Sequence, residues 1–100
     1  SVVGQRLVGK LVERGWQEER GLRAGLAAGE GERVANAAHR LKGAAANVAA
    51  NGLRQVAVEI ESAARAGRWP EVPGLLARLV VELERLEAEA RGRWPEVKVL

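Results

Sequence analysis

The chain has no cysteine, methionine, phenylalanine or tyrosine, and a single histidine among its 100 residues. Without cysteine there is no disulfide, no thiolate nucleophile and no cysteine-bound zinc, a composition that suits a reducing compartment. One histidine and no cysteine also leave too few ligands for a resident metal, so none is expected. No run of about 18 apolar residues occurs, and the first residues lack the basic-then-apolar layout of a secretory signal. Neither membrane insertion nor export is therefore expected, and the cytoplasm is the expected location. The chain opens on Ser1 without any methionine, which predicts a piece processed or excised from something longer.

What is present forms helices. Ala, Leu, Arg and Glu dominate and β-branched residues other than Val are scarce, which predicts an all-α fold with a core of Leu, Val, Ile, Ala and Trp. A chain this short makes one domain, residues 1–100, with a thin core and no room for a large multi-part site. The formal charge is +3. Arginines and glutamates are interleaved without a dense basic run, so a mixed solvated surface is expected and no nucleic-acid partner.

Gly and Pro divide the chain into four helical segments, roughly 4–27, 31–48, 52–66 and 73–91, with a tail over 92–100. The first carries Leu7, Val8, Leu11, Val12, Trp16, Leu22 and Leu26, but Glu18, Glu19 and Arg20 interrupt the seam. Its glycines, at 4, 9, 15, 21 and 25, each cost up to about 1 kcal/mol relative to Ala, so a bent or partly frayed helix is expected. Asn51 is the expected N-cap of the third helix and Gly67 its terminator. That helix presents Leu53, Val56, Ala57, Ile60, Ala63 and Ala64 as one apolar stripe. Pro70 or Pro73 opens the fourth, whose Arg78 with Glu82, Arg85 with Glu89 and Glu87 with Arg91 read as i,i+4 pairs on a wet face. The hexapeptide GRWPEV occurs twice, in each case with Gly to stop a helix, Trp to cover its end and Pro to start the next element. Four amphipathic helices with short connections predict an antiparallel four-helix bundle.

The chemistry centres on AHRLKGAAANV, residues 38–48. At about 100° per residue, Val34, Leu41 and Val48 fall within about 40° of directly opposite His39. Ala37, Ala38, Ala44 and Ala45 lie on the same far side, so the core stripe is complete without the histidine. Glu32, Ala35, Asn36, Lys42, Gly43, Ala46 and Ala50 lie within about 60° of His39 on the water-facing side. Most are small, where a solvated helix face ordinarily carries long charged groups. Gly43 is the sharpest case, since glycine inside a helix is destabilising but lets another backbone come close. Two readings stand on these residues alone: a surface histidine with no role on an alanine-rich face, or a reactive imidazole on a flat docking platform.

The segment AAHRLKGAAANVAANGL, followed by VAVEIESAARAG, resembles the histidine phosphotransfer (HPt) domain of bacterial phosphorelays. The family pattern is His-x-Leu-Lys-Gly on the second helix of a four-helix bundle, followed by a small-rich, Asn-Leu-Gly-like stretch. Here Ala49 stands where the family usually has Gly, and Trp16 alone represents the aromatics usual in the first helix. The resemblance covers about residues 11–90. It implies that His39 is the phosphoacceptor, Leu41 a core position, Lys42 the cation beside the phosphoryl group and Gly43 the point of partner access. Ala35, Asn36, Ala46, Asn47 and Ala50 would form the docking surface for response-regulator receiver domains. It further implies a carrier without an ATP site or cofactor of its own, with Mg²⁺ supplied by the receiver, in a setting such as a hybrid sensor kinase. The alternative is a non-catalytic or inhibitory helical module that binds a partner through the alanine-rich face.

Overall fold

The computed structural model describes residues 2–95. Helix α1 spans Val2–Ala27, α2 Gly31–Ala46, α3 Asn51–Ala66 and α4 Val72–Arg93, with a short 3-10 turn, Trp69–Glu71, ahead of α4. Helix α2 packs against α1 and α3, and α4 packs against the same two, so α2 and α4 face each other across the diagonal of a four-helix bundle. The bundle encloses Leu11, Leu22, Val34, Leu41, Val56, Ile60, Leu79 and Leu83, among others. The apolar stripes read from residue spacing account for this arrangement, because each is wide enough to bury against two neighbours.

Helix α1 is continuous, and the acidic cluster that interrupts its seam does not break it. Glu18 receives Arg40 from α2, Glu19 is buried and held by Arg23 one turn on, and buried Glu87 on α4 accepts the Trp16 indole N–H at 2.8 Å. Tertiary packing also explains a glycine that propensity disfavours. A Cβ on Gly15 would collide with the Leu83 side chain, so its absence lets α1 and α4 approach.

The helix ends differ from expectation in instructive ways. Helix α2 stops at Ala46, two residues early, because Ala49 takes a left-handed conformation with φ 56°. There the Ala50 N–H reaches back to the Ala45 carbonyl at 3.0 Å and the Ala49 N–H to Ala46 at 3.3 Å. This is the same closure that Gly67 makes at the end of α3, where the residue's φ is 73°. Glycine adopts that conformation freely, whereas alanine pays for its Cβ. Asn51 does not cap α3; Ala50 occupies the cap position without a side-chain hydrogen bond, and Asn51 is already helical.

Two of the three expected pairs on α4 are replaced by others. Arg78 crosses to Glu59 on α3 at 3.0 Å and Arg85 takes Glu82 at 3.2 Å, while Glu87 and Arg91 do pair, at 3.5 Å. Gly92 does not stop α4, which runs one residue further and closes at Trp94. Of the expected tail, residues 96–100 lie outside the described residues. Among the described residues no helix is long and apolar enough to cross a membrane.

Candidate functional site

Helix α2 turns Val34, Ala37, Ala38, Leu41 and Ala45 into the core, each no more than 1% exposed, and that burial points His39 the other way. The imidazole side chain is 61% exposed. Its Nδ1 lies 3.1 Å from Oε2 of Glu61 on α3. The same carboxylate takes Lys42 Nζ at 3.1 Å on Oε1, and Arg65 Nη2 at 2.9 Å and Nε at 3.0 Å on Oε2. Glu61 therefore gathers an imidazole and two cations at the α2–α3 seam, with its own side chain only 13% exposed. Burial pushes its carboxyl up, but hydrogen bonds from Lys42, Arg65 and His39 together outweigh burial and hold it below its ordinary value.

An ionised carboxylate can only accept, so Nδ1 carries a proton in this contact, and in the neutral ring it is Nε2 that keeps the lone pair. The hydrogen bond thus favours one tautomer of the neutral ring and one ring orientation, and it faces Nε2 away from α3.

On the other flank of α2, Arg40 reaches Glu18 of α1 through two hydrogen bonds, Nε to Oε2 at 2.9 Å and Nη2 to Oε1 at 3.1 Å. His39 stands between two carboxylates, each already occupied by cations. Gly43, one turn on, has nothing near where a Cβ would sit, so the space above it is open.

Of the residues expected on the docking surface, Asn36, Ala46 and Asn47 are exposed. Ala35 is not: it is 2% exposed and belongs to the core. It lies on the flank of α2 that turns toward α3, the flank on which Lys42 meets Glu61 and the Trp69 ring covers Gly31 so closely that a Cβ there would strike it. Ala50 is not on this surface either. Because α2 ends at Ala46, Ala50 is carried into the α2–α3 turn and packs against the core. Glu61, Arg65 and Glu18 escaped sequence reasoning. The i,i+4 spacing of Glu61 and Arg65 at the edge of the α3 stripe was available as a signal, but which residue of α2 they meet depends on the register between helices.

The model of one protein family, the Hpt domain, matches residues 6–89. The chain belongs to the Hpt family. Hpt domains are phosphoryl carriers rather than enzymes, and they work with receiver domains in phosphorelays. Comparisons with curated proteins and with solved structures give no match.

Proposed function

We propose that this Hpt domain accepts a phosphoryl group from the aspartyl phosphate of a receiver domain on Nε2 of His39 and passes it to another receiver. The observation that carries the proposal is the Glu61 contact with Nδ1 of an exposed imidazole, which in the neutral ring puts the proton on Nδ1 and the lone pair on Nε2. In the transfer, the Nε2 lone pair forms the N–P bond as the P–O bond to the aspartate breaks, and the aspartate leaves as a carboxylate. The ring gains positive charge while its Nδ1 proton stays in place, and the Glu61 carboxylate faces that charge. Glu61 is in this scheme a positioning residue.

Phosphoryl transfer rests mainly on alignment and charge stabilisation. Lys42 stands one turn from His39, and its ammonium, now on Glu61, can swing to the phosphoryl oxygens by rotation of its flexible stem. Arg65 is a second cation within the same cluster. Gly43 leaves room for the partner's loop. Mg²⁺ belongs with the receiver's acidic pocket, because the carboxylate beside His39 is already filled by two cations and an imidazole N–H. The domain would then have no turnover of its own and would act only when docked.

The test is transfer of labelled phosphoryl from phosphorylated receiver domains. Label is expected on the wild-type chain and not on His39→Gln. Label that stays on every receiver offered, or that still reaches the His39→Gln chain, overturns the proposal.

A further inference from the structure

The face around His39 is not evenly charged. Toward the C-terminal end of α2 it carries Lys42 and Arg65 on one flank and Arg40, Arg14 and Lys10 on the other, against the carboxylates of Glu61 and Glu18 among the described residues. Glu61 is shared by Lys42 and Arg65. Glu18 is committed to Arg40 at 2.9 Å, which leaves Arg14 only a 4.0 Å approach to it. Lys10, exposed on α1, has no ion pair among the described residues. The surplus positive charge thus lies on α1, at Lys10 and Arg14.

These two cations border a shallow groove of about 130 Å³ where α1 meets α2, lined also by Leu7, Ala44, Asn47 and Val48. Leu7 is 46% exposed although it occupies an apolar position of α1. Apolar residues edged by cations describe a surface for an amphipathic element with carboxylates along its rim. The groove is continuous with the His39 face through Asn47, one turn beyond Gly43.

We propose that Lys10 and Arg14 are specificity-determining residues, which select receiver domains that present an apolar side chain flanked by carboxylates to the α1–α2 groove. This inference rests on the relay reading and adds to it which receivers the domain takes. Opposed charges at the rim of a contact act mainly on the rate of encounter and on its salt dependence. They make no contact with His39, whose Nδ1 is held by Glu61 of α3, and leave the chemistry at Nε2 untouched.

The experiment uses the whole chain, one small phosphoryl donor and a panel of receiver domains as acceptors. Phosphoramidate, a small donor that needs no protein docking, is expected to label His39 equally in the wild type and in the Lys10→Glu/Arg14→Glu double variant. Failure to label the wild type from phosphoramidate and from every phosphorylated receiver alike overturns the relay reading and this inference with it. The labelled proteins are then mixed with a panel of purified receiver domains, and for each receiver that discharges the wild type the rate is followed against receiver concentration at low and high salt. The double variant is expected to lose about tenfold or more in kcat/KM at low salt, to keep the wild-type rate at saturating receiver, and to show a flattened salt dependence. Basic substitution of the receiver's facing carboxylates should restore transfer to the variant. An unchanged kcat/KM overturns the inference while leaving the relay reading intact, as does an equal loss at saturating receiver, which would place the two residues in the chemistry instead of the encounter.

Discussion

The carboxylate of Glu61 is the least expected part of the site, and its removal gives the sharpest test of the mechanism. In Glu61→Ala, His39 loses the acceptor for Nδ1–H at 3.1 Å, and Lys42 and Arg65 lose their common partner. A hydrogen bond to a charged group contributes about 1.5–3 kcal/mol, and solvent around an imidazole that is 61% exposed brings this toward the lower end. Only the part that strengthens as the ring becomes cationic lowers the barrier, about 1 kcal/mol, or roughly fivefold in rate. Glu61→Gln keeps an acceptor of the same reach without the charge, so its loss should be smaller, about twofold, on the same arithmetic. Rapid-quench measurement of transfer from a saturating phosphorylated receiver reads these rates directly, with helicity by circular dichroism as the check on folding. Nitrogen chemical shifts of the ring add a readout that a purely structural residue would not move: the wild type should hold the Nδ1–H tautomer, and Glu61→Ala should relax toward Nε2–H. Equal rates for the wild type and Glu61→Ala, or an Nε2–H tautomer in the wild type, would refute the reasoning.

Lys42→Ala should slow transfer by about tenfold, the weight of one charge-assisted contact, with only a small change in thermal midpoint from loss of a half-buried ion pair whose carboxylate keeps Arg65; an unchanged single-turnover rate removes its assigned role. Gly43→Arg fills the open space above α2 and should abolish receiver binding in calorimetry while phosphoramidate still labels His39. Ala49→Gly should stabilise the domain by about 1 kcal/mol in urea denaturation, because it relieves a left-handed alanine; a loss of stability would show that the turn is held on other terms. The depressed carboxyl of Glu61 contributes stability that is fully present above its unfolded value and lost as pH falls through its lower folded value. The Glu61→Gln chain should therefore lose less stability than the wild type across that acid window, and parallel curves would contradict the direction of the shift.

How far the site could be read in advance follows from which interactions are local. The outward direction of His39 was legible because Val34, Leu41 and Ala45 define the buried side of one helix, and helical phase needs no knowledge of neighbours. Ala35 is the counter-example on the same helix. It lies 40° from His39 by phase, about one turn off Gly31, yet Trp69 and α3 close over that flank, and nothing within α2 announces them. The same limit hid Glu61, which is 22 residues from His39 in sequence and meets it only because the turn over residues 47–50 sets the register of α3 against α2. That turn is closed by an alanine in the left-handed region, where the usual glycine signal is missing, so both the end of α2 and the partner of His39 were obscured by one residue. The glycines of α1 misled in the opposite sense: propensity alone counts Gly15 as a weakness, whereas against Leu83 it is the condition for close packing. Placement of the proposed acceptor is a property of one helix, and its tuning is a property of two. A substitution in the 47–50 turn that shifts α3 by one residue should therefore leave His39 exposed and labelled by phosphoramidate, while it uncouples the ring from Glu61 and slows transfer as Glu61→Ala does.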